Sequence, residues 1–126
     1  MATLNATLRF KADVGSEKTS VIYTIDKTIT EGGLQRQKIT GTTKGAGTVI
    51  APTATISAGT YLIVRNMDST KTNYIIISQN NVEVIKLAGG SHGPGDYAIL
   101  PLHMGHDIKA HSTAGTEILE FATYEV

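Results

Sequence analysis

The sequence predicts an all-β protein: an antiparallel sandwich or barrel of about eight short strands with no helix. Three observations carry this. The 126-residue chain is only 17% charged, and Thr, Ser, Asn and Gly supply its polarity. Thr together with Ile and Val suits a pleated, half-buried surface. Several segments alternate apolar and polar residues with the period of two that a strand imposes. Turn signals rich in Gly and Asn separate these segments at intervals of roughly 8–12 residues, the spacing of sandwiches and barrels.

From the N-terminus, Thr3–Phe10 alternates, with Leu4, Ala6, Leu8 and Phe10 opposite Asn5, Thr7 and Arg9, and reads as a strand. Lys11–Thr19 is polar, contains Val14-Gly15, and reads as a turn or loop. Ser20–Asp26 alternates again, with Val21, Tyr23 and Ile25 against Ile22 and Thr24. Lys27–Gly47 has little beyond Leu34 and Ile39 to anchor it, so it holds one edge strand around Gln35–Thr42 or forms an extended arm. Thr48–Ile56 carries Val49, Ile50 and Ile56, but Pro52 lacks the amide proton of a ladder position, which makes this piece an edge strand or connector.

The centre of the chain is Gly59–Leu87, three consecutive strands at Tyr61–Asn66, Asn73–Ser78 and Val82–Leu87. Residues 67–72 form a polar loop between the first two. Asn80-Asn81 joins the second and third as a two-residue hairpin of the primed type, which needs φ > 0 at both positions. Neither Tyr61–Val64 nor Ile75–Ile77 alternates, and the phase changes between Val82/Val84 and Ile85/Leu87. Either a bulge lies near Val84-Ile85 or both faces are covered, and a neighbouring subunit is one such cover. Residues 88–96 are a Gly-rich loop and Tyr97–Leu102 a short strand. His103–His111 has Ile108 as its only large aliphatic, and Gly115 breaks the chain again. In Thr116–Val126 the alternation of the last five residues favours a strand over a helix.

The 11 basic and 11 acidic residues cancel, without a block of either sign, which favours neither nucleic acid nor an anionic membrane as partner. There is no cysteine, hence no disulfide framework and no thiolate metal site. MATLNATLRF lacks a basic region followed by an apolar run, and no stretch reaches the ~20 apolar residues of a membrane span. A soluble protein made in the cytoplasm is expected.

No residue pattern compels a catalytic, cofactor or metal site, and none is expected. Gly89-Gly90-Ser91-His92-Gly93 fits the nucleophile-elbow pattern, but that mechanism needs a strand-to-helix turn, and a strand follows Pro94-Gly95-Asp96 here. His92, His103, His106 and His111 lie close in sequence with Asp107 among them, yet on a strand His103 and His106 face opposite sides, as do His106 and His111. Only a symmetry axis gathering copies of one histidine would make a site. No carboxylate pair and no phosphate-cradling glycine loop occurs. Tyr61, Tyr74 and Tyr97 are read as sheet and interface residues.

Thr60-Tyr61-Leu62-Ile63-Val64-Arg65-Asn66-Met67-Asp68-Ser69 followed by Asn73-Tyr74-Ile75 resembles a signature of small tailed-bacteriophage virion structural proteins. In those, a strand ends in Asn-Leu-Asp, a polar turn follows, and the next strand begins Asn-Tyr-Ile/Val. The Gly-rich loop, the strand Ile99-Leu100-Pro101-Leu102 and a C-terminal strand with Phe121 and Tyr124 extend the resemblance over roughly residues 48–126. Met67 stands where Leu is usual, and Lys71-Thr72 lengthens the turn. The length predicts one domain over 1–126, and the resemblance implies a jelly-roll-like β-sandwich without enzymatic activity. It would be built into the virion as a homo-oligomer that contacts the major capsid protein or other virion proteins. A capsid decoration or cement subunit comes first, with Met1–Thr7, Lys27–Gly47 and the C-terminal strand as candidate arms. A head–tail connector or tail subunit is the alternative. A carbohydrate-binding module is the competing class, with a groove near Asp68, Tyr74 and Asp96; a hydrolase relying on Ser91 is third.

Overall fold

The computed structural model describes residues 2–14, 17–29, 31–103 and 105–125. Ten strands follow in order: β1 (Ala2–Val14), β2 (Glu17–Ile29), β3 (Glu31–Lys38), β4 (Thr48–Ala51), β5 (Thr60–Asn66), β6 (Tyr74–Gln79), β7 (Val82–Ala88), β8 (Tyr97–Pro101), β9 (Ile108–Ser112) and β10 (Ile118–Glu125). Among the described residues the helical content is two single 3-10 turns, at Lys44–Ala46 and Thr53–Thr55.

Eight of the strands build two antiparallel sheets of order β3-β10-β5-β8 and β4-β9-β6-β7. From β3 onward the chain crosses between sheets at every connection except the β6–β7 hairpin, and the first of these strands pairs with the last. This is the jelly-roll arrangement of a β-sandwich. Leu62, Val64, Leu119 and Phe121 from one sheet and Ile50, Ile75, Ile77, Leu87, Ile108 and Ala110 from the other form the buried core, joined by Ile39 and Ile56 from the connections.

Local chemistry sets the details. Asn80 and Asn81 have φ of 52° and 58°, the left-handed conformation that the two-residue turn demands. The register of β6 with β7 shifts between Ile77↔Ile85 and Ser78↔Glu83, which leaves Val84 as the extra residue of a bulge. The bulge accounts for the change of phase: Val82 and Val84 are exposed while Leu87 is buried. Ile75, Ile76 and Ile77 are all buried within one chain. Ile75 and Ile77 belong to the core, whereas Ile76 lies on the outer face between His111 of β9 and Lys86 of β7, its register partners. Cross-strand neighbours at ~5 Å close over it without a second subunit. β4 is an edge strand that stops just before Pro52.

β1 and β2 stand apart as a two-stranded sheet paired from Ala2↔Ile29 to Val14↔Glu17. Each strand has 13 residues, so the ribbon is about 40 Å long. Lys11–Thr19, expected as a turn or loop, is instead mostly strand. Backbone pairing needs no apolar residue, and the register sets Asp13 opposite Lys18 and Lys11 opposite Ser20. Gly15 of the expected turn lies outside the described residues. The segment 27–47, expected as an arm or edge strand, contains the end of β2, the whole of edge strand β3 and the loop that buries Ile39.

Candidate functional site

Residues of the Thr60–Ile75 stretch do structural work at one end of the sandwich. Asn66, fully buried at the end of β5, donates its side-chain amide to the carbonyls of Asn73 (3.1 Å) and Leu87 (3.0 Å) and accepts from the Asp68 amide at 3.0 Å. Its backbone N–H donates to the Asp96 carbonyl and its carbonyl accepts from the Gly95 N–H. One side chain thus ties the end of β5 to the start of β6, the end of β7 and, through its backbone, to the Gly-rich loop. Asp68 Oδ1 accepts from the Thr70 amide (2.7 Å) and the Asn73 side chain (3.3 Å), and Asp96 Oδ2 accepts from the Ala88 amide (3.0 Å). Two of the three residues expected to line a sugar groove therefore hold loops with their carboxylates. The third, Tyr74, is half-buried with the Lys86 ammonium 4.2 Å from its ring centroid.

Ser91 and His92 are exposed in the loop between β7 and β8, and the strand-to-helix turn of a nucleophile elbow is not formed there. The loop runs tightly against its surroundings: a Cβ at Gly89 would strike the Thr70 carbonyl and one at Gly95 the Ala88 carbonyl. His92, His103 and His106 are exposed, while His111 is buried on the outer face of β9. Among the described residues no three His, Asp or Glu side chains gather as metal ligands. Among the described residues, no helix is long and apolar enough to cross a membrane.

Sequence reasoning missed two arrangements. The first is a polar cleft of about 230 Å³ at the opposite end of β6 from Asn66, lined by Lys44, Ser78, Asn80, Asn81, His106 and Lys109. Its rim is fixed by Asp107, whose Oδ1 accepts from the backbone N–H (2.6 Å) and hydroxyl (2.7 Å) of Thr53. The Thr53 hydroxyl, then its amide, hold the Asp107 carboxyl below the ordinary value, with Lys109 and His106 adding to the effect. Gln79 Nε2 donates to the His103 carbonyl at 2.7 Å and anchors the neighbouring loop. Lysine and asparagine side chains make this cleft rich in donors, suited to oxygen acceptors on a ligand. The hairpin Asn80-Asn81 was the available signal, since it sets two amides at a sheet end.

The second is the outer face of the β3-β10-β5-β8 sheet. Register aligns Leu34, Ala122, Ile63 and Ile99 in one row across all four strands, and Tyr124, Tyr61 and Pro101 in the row beside it. Leu34 is 63% and Tyr97 60% exposed; Ile63, Ile99, Tyr61 and Tyr124 are half-buried. On the other side the row Arg36, Glu120, Arg65, Tyr97 is charged, with Arg36 Nε donating to Glu120 at 2.7 Å. Within the first row Ala122 is buried, between exposed Leu34 and half-buried Ile63.

Comparison of the chain with protein-family models, curated proteins and solved structures gives no match.

Proposed function

We propose that this protein is a bacteriophage virion structural subunit. Its first assignment is a head decoration or cement protein that works by contact with copies of itself and with capsid subunits, without a reaction of its own. The observation that carries the reading is a jelly roll bearing a long two-stranded ribbon. A jelly roll is a frequent solution for capsid-type subunits, although fold alone does not fix function. The ribbon and the apolar outer sheet face support the reading because both are devices for covering neighbours. So does the signature from Thr60 to Ile75, whose Asn66 and Asp68 lock the sandwich end.

The test is sedimentation of tailed-phage particles from a culture that makes this chain, probed with an antibody against it. Co-sedimentation in constant ratio to the major capsid protein is the expected result. Signal confined to separated tails would move the assignment to a connector or tail subunit, and a chain that stays at the top of the gradient overturns the virion reading. The donor-rich cleft favours a second reading, a carbohydrate-binding module at a particle surface, and a glycan array tests it directly.

A further inference from the structure

The polar cleft at the hairpin end of β6 is assembled from separate pieces of chain, and the fold holds each of them. Lys44 rides on the 3-10 turn Lys44–Ala46, whose N-cap Thr43 accepts from the Ala46 amide at 3.3 Å. Gly47 closes that turn against β9, so near that a Cβ there would lie 3.3 Å from both the Ala110 carbonyl and the Lys109 side chain. Lys109 in turn pairs with Ser78 across the ladder, so the turn, β9 and β6 meet at one place. The hairpin brings Asn80 and Asn81 to the same lining, with their backbone fixed in the left-handed conformation. Ser78 belongs to the floor. Ile75 and Ile77 of its strand belong to the core, which puts Ser78 on the outer face with Ile76. There it is 2% exposed, and its hydroxyl has no hydrogen-bond partner among the described residues. Buried hydroxyls are nearly always paired, so an unpaired one beneath a cleft asks for a partner from outside the chain.

We infer that this cleft binds a phosphoryl group, with Lys44 and Lys109 neutralising the oxyanion and the Ser78 hydroxyl donating to it from the floor. The charge points that way. Among the described residues the one ion pair is Arg36–Glu120, so neither lysine is matched by a carboxylate. The carboxylate in the lining, Asp107, already accepts the Thr53 amide and hydroxyl at Oδ1. Glu83, the other ladder partner of Ser78, is exposed and stands outside the lining. The type of donor points the same way. Lysine binds phosphate as a compact point charge with three rotatable donors, whereas bidentate capture of a flat carboxylate is the work of arginine, which the lining lacks. The acceptor oxygens of a phosphoryl group are enough to take two ammonium groups and a hydroxyl together. No tyrosine or phenylalanine lines the cleft, so charge and hydrogen bonds carry the recognition. The Ser78 hydroxyl opens to the ligand when the flexible four-carbon stem of Lys109 beside it swings toward the anion.

This site goes beyond the virion reading, and its test needs only purified protein and small ligands, so either can fail without the other. Calorimetric titration of the full chain in a phosphate-free buffer uses inorganic phosphate, glycerol phosphate and acetate in turn. Phosphate and its ester should each fill one saturable site per chain by ~10 mM. Equal affinity for the two would mean that the phosphoryl group alone is read. A tighter ester would mean that Asn80 and Asn81 also bond its hydroxyls, and both results support the site. Lys44→Gln and Lys109→Gln should each weaken binding at least about tenfold, and Ser78→Ala about three- to tenfold. Lys71→Gln makes the same charge change in the loop between β5 and β6, at the other end of the sandwich, and should leave binding unchanged. Thermal unfolding without ligand checks that each variant is folded, and Lys44 is exposed, so Lys44→Gln keeps the fold. Titrations that do not saturate with either phosphate, or acetate bound as tightly as phosphate, would overturn the inference. So would a loss in Lys71→Gln equal to that in Lys44→Gln, or wild-type affinity in Ser78→Ala.

Discussion

The Asn66 side-chain amide donates to the Leu87 carbonyl at 3.0 Å, and this bond joins the two sheets, since Asn66 ends β5 and Leu87 lies in β7. Asn66→Ala takes this partner from the Leu87 carbonyl and the Asp68 amide and one of two donors from the Asn73 carbonyl, which keeps the Gly89 N–H at 2.8 Å. The expected cost is about 2–4 kcal/mol, since buried groups left without partners cost about 1–3 kcal/mol each and water reaches some of them. Thermal unfolding should drop by roughly 10–20 °C. Asn66→Asp should be worse, because it removes the donor and sets a carboxylate against two carbonyl oxygens.

Glu117 gives the acid limb of stability. Its side chain is fully buried and accepts from the Ala114 amide (3.0 Å), the Thr116 amide (2.9 Å) and the Thr113 hydroxyl (3.3 Å). Burial pushes its carboxyl up, but backbone N–H groups of Glu117, Ala114 and Thr116 with the Ser112 hydroxyl outweigh this and bring it below the ordinary value of 4.5. The folded state thus holds the proton less tightly than the unfolded chain. The resulting stability is present above pH 4.5 and is lost as pH falls from there through the folded value. Urea midpoints should be flat from neutrality to about pH 5 and then decline. Glu117→Gln should flatten the decline and cost about 1–3 kcal/mol at pH 7.

At the hairpin, Asn81→Gly should stabilise by about 0.5–1 kcal/mol, because glycine takes φ near 58° without the penalty a side chain carries. Asn80→Ala or Asn81→Ala should destabilise by about 1 kcal/mol for the opposite reason. Urea unfolding monitored by far-ultraviolet circular dichroism resolves both signs.

Ser78 makes the reverse case for a polar deletion. Its hydroxyl is buried and without a hydrogen-bond partner, so Ser78→Ala removes a desolvated group and breaks nothing. Stability should be unchanged or higher by up to about 1 kcal/mol. A loss of more than that would show that the hydroxyl has a partner in solution, and the cleft it lines would be the place to look.

The central hairpin was legible because its determinants are local. Two left-handed asparagines, a change of phase at Val84 and a proline at 52 each act within a few residues. The ribbon beyond Lys11 was illegible because its residues are polar and its pairing is a property of backbone register, which hydrophobic period does not report. β9 was hidden for a related reason: Ile108, Ala110 and Ser112 point inward, but Ile108 is the only large aliphatic among them, and Lys109 and His111 between them are polar. Glu117 gave no sign of burial in the sequence, since its stability comes from amides that the fold collects around it. The cleft shared that fate: Lys44, Thr53 and Lys109 are far apart in the chain and meet only when β4 and β9 pair.

Edge strand β3 also has a mechanical meaning. Residues 34–38 are all exposed, and the strand is held by its ladder to β10 and by Ile39, whose amide donates to the Glu117 carbonyl at 2.8 Å. A tug on the ribbon along the strand axis loads the eight rungs from Glu31↔Glu125 to Lys38↔Ile118 together, in shear. A tug across the axis opens them one at a time from Glu125, like a zipper, until it meets Ile39. The same junction is stiff in one direction and yielding in the other, so the direction of load decides whether the sandwich edge holds or peels.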